Sequence, residues 1–202
     1  MFEKSKTPRK ITEHSLRNIA LHYLQRYASS KENLKRVLKR RVMRSAQFHV
    51  DLDTEEASQW IELLVEQLAQ TGVVDDRTYA EGRVRALFRR GISPNGISQW
   101  LNQKGVDATL IKEVIAELYT ETSDPNLMAA IKLVRRRRLG PYRLPEKREE
   151  RKDKDLAAVA RAGFDFQTAQ KVIYAESTEE LDEMVSSDLT NNAASRAGYL
   201  DH

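Results

Sequence analysis

Ser93-Pro-Asn-Gly-Ile-Ser-Gln-Trp-Leu-Asn-Gln-Lys-Gly-Val106 is punctuated as a complete short helix: a serine cap, a proline at the first helical position, and Gly105 where a left-handed closing residue is wanted. Related stretches stand at Ser30-Lys-Glu-Asn-Leu-Lys-Arg-Val-Leu-Lys-Arg-Arg-Val42 and Asp155-Leu-Ala-Ala-Val-Ala-Arg-Ala-Gly-Phe164. Each follows a longer helical stretch, which defines an internal repeat of about 50 to 60 residues. A helical unit of that size cannot bury its apolar face alone, so the units are expected to stack into an elongated, curved body suited to a long partner.

Outward from these stretches, helical periodicity accounts for the rest of the chain. The first helix should begin near Thr12 and bury Leu16, Ile19, Ala20, Tyr23, Leu24 and Tyr27. Ser29 or Ser30 caps a second, with Leu34, Val37, Leu38 and Val42 inward, and Asp53-Thr-Glu-Glu56 opens a third that ends at Gly72. Asp75-Asp76, Asp107, Asp124-Pro125 and Asp165 are further start signals. Leu139-Gly-Pro-Tyr-Arg-Leu-Pro145, with two prolines, reads as a loop. The expected fold class is therefore all-α, with three tandem three-helix, helix-turn-helix-like repeats at residues 12–72, 73–123 and 124–175. A disordered N-terminal segment over residues 1–11 and an acidic, largely disordered tail over residues 176–202, with at most one loose helix, complete the expectation.

Composition narrows the function classes. The chain has 202 residues, 40% hydrophobic and 32% charged, with no cysteine, which excludes disulfides and thiolate metal sites. No apolar run reaches the roughly 18 residues of a membrane span, and the first ten residues lack the apolar core of a targeting signal, so a cytoplasmic protein without membrane contact is expected. The net charge of +4 conceals a partition along the chain. Residues 1–50 hold 13 Lys/Arg against 3 Asp/Glu, and residues 131–154 hold 11 against 4; residues 51–78 hold 1 against 8, and residues 176–202 hold 1 against 7. Basic stripes of this kind suit a polyanion or an acidic protein surface.

Catalytic patterns are missing. His14, His22, His49 and His202 are not at metal-ligand spacing, the paired acids read as helix caps, and the dispersed glycines form no phosphate-cradling loop. Neither an enzymatic role nor a cofactor is expected. Tyr23, Trp60, Tyr79, Phe88 and Trp100 lie on apolar stripes and read as core anchors, whereas Tyr142, between Pro141 and Arg143, could stack on a base or a partner. The candidate contacts are the cations: Arg36, Lys39, Arg40 and Arg41 in the first repeat, Arg83, Arg85, Arg89, Arg90 and Lys104 in the second, and Arg135, Arg136, Arg137, Arg138, Arg143, Lys147, Arg148 and Arg151, with Tyr142, in the third. Such residues neutralise phosphates or pair with acidic protein surfaces.

Ala20-Leu-His-Tyr-Leu-Gln-Arg-Tyr-Ala-Ser-Ser-Lys-Glu-Asn-Leu-Lys-Arg-Val-Leu38, Gly72-Val-Val-Asp-Asp-Arg-Thr-Tyr-Ala-Glu81 and Gly91-Ile-Ser-Pro-Asn-Gly-Ile-Ser-Gln-Trp-Leu-Asn-Gln-Lys-Gly-Val-Asp107 together resemble the RecX family, bacterial regulators of the recombinase RecA. The resemblance spans residues 12–175, more loosely in the third repeat. It departs from the family pattern in a longer stretch around Met43 to Ala57 and in the acidic tail. It implies a non-enzymatic regulator that lies in the groove of the RecA filament on single-stranded DNA and inhibits ATP hydrolysis, strand exchange and co-protease activity; the absence of a long heptad seam, separately, points to a monomer. The residues themselves leave two other readings open. One is a DNA-binding helical protein that acts without a recombinase; the other is a helical-repeat scaffold for a different protein.

Overall fold

Side-chain caps set where the helices begin in the computed structural model, which describes residues 9–197. The Thr12 hydroxyl accepts from the Ser15 N–H while Ser15 answers the Thr12 N–H, a capping box that opens α1 (Glu13–Leu24). Ser30 opens α2 (Lys31–Ala46) and Asp53 opens α3 (Thr54–Gln70). Asp75 starts α4 (Asp76–Arg89), Ser93 starts α5 (Pro94–Gln103), and Asp107 starts α6 (Ala108–Ala116). After the short α7 (Leu118–Glu121), Asp124 caps α8 (Pro125–Arg137). A 3-10 turn at Gly140–Tyr142 leads to α9 (Pro145–Arg161), then Asp165 caps α10 (Phe166–Tyr174), and α11 spans Thr178–Ala197. Among the described residues there is no strand, so the chain is all-α, as its periodicity predicts.

The chain forms two compact units. The first holds the described residues up to Ala80 together with Lys104–Val106. Its core is Leu16 and Ala20 of α1, Leu34, Leu38 and Val42 of α2, and Ile61, Val65 and Leu68 of α3, residues spaced three or four apart so that each helix turns one stripe inward. The paired acids divide between two helices here. Asp75 accepts from the Thr78 N–H at 2.6 Å to start α4, whereas Asp76 accepts from the Lys31 N–H at 2.8 Å at the head of α2.

Residues 9–11 correct the expected disorder at the N-terminus. Ile11 is buried and its N–H donates to Ser45 Oγ at 3.2 Å, while the Lys10 ammonium meets the Asp51 carboxylate at 2.6 Å. The cause is α2, which runs a turn past Val42 and so places the buried Ser45 hydroxyl within reach of the incoming chain. Residues 1–8 of that expected segment lie outside the described residues.

The second unit holds residues 81–103 and those from Asp107 onward. α8 is its central helix, burying Met128, Ala129, Ile131, Leu133 and Val134, and it packs against α5, α9 and α10. α11 corrects the expectation of a largely disordered tail: residues 178–197 are helical, with Leu181 fully buried. The anchor is Asp188, itself buried, whose carboxylate accepts from the Thr122 and Ser123 hydroxyls, from the Ser123 N–H at 2.9 Å and from the Asp124 N–H at 3.2 Å. An acidic composition concealed this because one leucine and two of the acids themselves, Asp182 and Asp188, carry the docking. Residues 198–202 lie outside the described part. Replacing Asp188 by alanine should release α11 locally: its amides should exchange about 10- to 100-fold faster by hydrogen exchange, the equivalent of losing charged hydrogen bonds, while those of α8 keep their protection.

Candidate functional site

The outer face of α2 collects cations because its inward stripe of Leu34, Leu38, Val42 and Ser45 leaves the opposite side of the helix to solvent. Three of these cations are paired within the unit. Arg36 Nε donates to Glu32 at 3.0 Å one turn earlier, and Lys39 meets Glu62 of α3 at 3.3 Å beside a second contact from Lys35. The hydrogen bond from Lys35 holds the Glu62 carboxyl below its ordinary range. Arg40, Arg41 and Arg44 are exposed and make no ion pair among the described residues. Arg44 was not singled out from the sequence; its position three and four residues after Arg41 and Arg40 puts it on the same face. Lys104, assigned by sequence to the second repeat, lies in the first unit, where its Nζ is 3.5 Å from Asn33 Oδ1 and its carbonyl accepts from the Ser30 hydroxyl.

In the second unit the candidates separate just as clearly. Arg83 lies over the Trp100 ring, 5.5 Å from its centroid, a cation–π contact that holds it in the fold. Arg85, Arg89 and Arg90 are exposed and make no ion pair among the described residues. Lys132, missed in the sequence, sits 3.8 Å from the centroid of the buried Phe88. At the end of α8, Arg135 donates to the Tyr142 hydroxyl at 3.0 Å, covers that ring at 5.7 Å and pairs with Asp182 of α11. The hydrogen bond to Tyr142 raises the Arg135 pKa. Tyr142 is thus already engaged by a guanidinium. Arg136 and Arg137 are exposed without an ion pair among the described residues, and Arg138 closes the helix in the left-handed region at φ 54.

Two arginines offered as outside contacts hold the 139–145 loop instead. Arg143 binds Asp155 with two parallel hydrogen bonds of 2.6 and 2.7 Å, and Asp155 also accepts from the Gly140 N–H at 3.0 Å. Arg148 donates to the carbonyls of Pro141, Arg143 and Glu176, at 3.2 Å for Arg143 and 3.0 Å for Glu176. The planar fork of arginine suits this many-pronged use better than an ammonium would. Lys147 remains exposed, and Arg151 makes only a loose 3.5 Å contact to Glu150.

Of the cations singled out in the sequence, those exposed and without an ion pair among the described residues are thus Arg40 and Arg41 in the first unit, where Arg44 joins them, and Arg85, Arg89, Arg90, Arg136, Arg137, Arg138 and Lys147 in the second. Such groups can neutralise phosphate or carboxylate without first breaking an internal bond. Among the described residues no group of three His, Asp or Glu side chains is placed to hold a metal ion, and no helix is long and apolar enough to cross a membrane.

Comparison with known proteins gives concordant results. The family model described as RecX, second three-helix domain, matches residues 75–115. The regulatory protein RecX of Myxococcus xanthus (strain DK1622) is 45% identical over 169 residues, 83% of this chain and 89% of that protein. Its counterpart in Agrobacterium fabrum (strain C58 / ATCC 33970) is 34% identical over 170 residues, covering 84% of this chain and 87% of the other. The crystal structure of RecX from Lactobacillus salivarius has the same fold, with a TM-score of 0.54 at 19% identity over 84% of this chain and 96% of that one.

Proposed function

The chain belongs to the RecX family of regulatory proteins, and we propose on that premise that it restrains RecA by lying in the groove of the RecA filament on single-stranded DNA. In this reading it is not an enzyme: RecA hydrolyses the ATP, and this protein inhibits that hydrolysis, strand exchange and co-protease activity by holding or blocking protomers. The observation that carries the reading is the 45% identity to a regulatory protein over 83% of the chain. The exposed arginines support it, since a filament presents both protein carboxylates and DNA phosphates, and a cation without an internal partner meets either with little rearrangement. Arg138 adds to that support. Glycine would suit its left-handed backbone better, by about 1–2 kcal/mol, so the residue is not there for the backbone's sake.

The direct test is the ATPase rate of RecA on single-stranded DNA while this protein is titrated in below one copy per protomer. Suppression at those ratios supports the reading, and an unchanged rate overturns it. The double change Arg40→Glu/Arg44→Glu alters two exposed arginines that have no ion pair among the described residues. It should raise the concentration for half-inhibition roughly tenfold at moderate salt, with the gap narrowing as salt screens both proteins. Equal inhibition by the variant would remove α2 from the interface.

A further inference from the structure

On the outer side of α1 and α2, within the first unit, lies an open cleft of about 520 Å³. That volume falls in the range of roughly 300–1,000 Å³ that small ligands occupy. Ile19 and Val37 supply its apolar surface, and Tyr23 and Tyr27 supply two rings with centroids 5.2 Å apart and planes inclined by 39°. Tyr23 is fixed, because its hydroxyl accepts from Asn33 Nδ2 at 3.3 Å. Tyr27 continues the stripe of α1 beyond the helix end but is 56% exposed, so the core does not use it. Arg26 and Arg41 border the same cleft, neither makes an ion pair among the described residues, and no carboxylate lines it.

We propose that this cleft binds one unstacked nucleotide of a single-stranded nucleic acid, with the base against Tyr27 and the flanking phosphates against Arg26 and Arg41. Two guanidiniums facing one cleft without an anion repel each other, which favours a negatively charged occupant. The rings beside them favour an occupant with a flat π-face, and every base has one. An acidic protein segment would satisfy the arginines but would leave the exposed ring of Tyr27 without a matched surface. A duplex keeps its bases stacked on one another, so it cannot offer one to the cleft. This binding needs no recombinase and stands independently of the RecA reading, which the ATPase titration tests separately.

The experiment is fluorescence anisotropy of a labelled oligothymidylate of about 16 nucleotides with the full chain alone, a length at the upper end of common single-strand sites. Tyr27→Ala should weaken binding about 5- to 100-fold, the range one stacked base contributes, whereas Tyr27→Phe should retain it. Arg41→Ala should flatten the slope of log affinity against log salt by about 0.7, the share of one phosphate on a single strand. Tyr27 is exposed, so an unchanged far-ultraviolet circular dichroism spectrum will show that the variants remain folded. Affinity indifferent to Tyr27→Ala, or equal affinity for a duplex of the same length, overturns the proposal. Absence of oligonucleotide binding also overturns it and leaves an acidic protein segment as the occupant.

Discussion

Asp155→Asn is expected to lower the melting temperature of the second unit by about 6–12 °C, corresponding to about 3 kcal/mol in a chain of this size. The Asp155 side chain is only 3% exposed and receives three donors, two from Arg143 and one from the Gly140 N–H. An asparagine keeps the shape but turns an NH2 group toward the Arg143 fork, which leaves a guanidinium partly buried against another donor. The loop from Leu139 to Leu144 loses one of its ties to α9 at the same time, the one that Gly140 and Arg143 make through this carboxylate, and keeps those from Arg148 to the Pro141 and Arg143 carbonyls. Combining the change with Arg143→Met should cost clearly less than the sum of the two single variants, since both remove the same interaction. Additive losses in thermal melts would show that the pair is not coupled.

Acidity should act through the same group. Burial pushes the Asp155 carboxyl up, but the hydrogen bonds from Arg143 and Gly140 outweigh it and hold the pKa below the ordinary 3.8. A carboxyl lowered in the folded state stabilises it above the unfolded pKa and loses that contribution as pH falls through the folded value. The natural protein should therefore lose melting temperature more steeply between about pH 5 and pH 3 than Asp155→Asn, which has no proton to take up there. Parallel pH profiles for the two proteins would exclude Asp155 as a source of acid sensitivity.

Gly91→Ala should be more damaging still, by about 3–5 kcal/mol, because two penalties coincide at one atom. Gly91 follows the end of α4 at φ +71, and a Cβ there would lie 2.5 Å from the Leu133 backbone nitrogen and 2.8 Å from the Ala129 carbonyl oxygen of α8. Backbone atoms of a central helix cannot step aside as the end of a side chain can. Gly72 provides the internal control, with the same φ of +71 and nothing within 4 Å of its would-be Cβ. Gly72→Ala should show the conformational strain alone, about 1–2 kcal/mol. If the two variants destabilise equally in denaturant titrations, the close approach to α8 is not what requires glycine at 91.

Much of this was legible because it is local. Thr12, Ser30, Asp53, Asp107, Asp124 and Asp165 cap helices in the structure as their side chains suggest, each by reaching an N–H two or three residues ahead. The two ends of the chain were harder. Ile11 is ordered by Ser45 and α11 by Thr122, Ser123 and Asp124, partners 34 to 66 residues away. A polar or acidic segment carries no sign of such a partner. The candidate contacts show the same division: all the arginines are visible in the sequence, but Arg143 and Arg148 look no different there from Arg136 and Arg137.

The sequence by itself determined the all-helical class, the starts of most helices before residue 176 and the family, since periodicity, capping and motif spacing act within a few residues of chain. Only the tertiary structure decided which cations face outward unpaired and that Asp75 and Asp76 serve different helices. It likewise decided that Tyr23 and Tyr27 share a cleft with Arg26 and Arg41. The physical reason is that a helix surface is set by local geometry, whereas the fate of a charge depends on which distant donor or acceptor packing brings within about 3 Å of it.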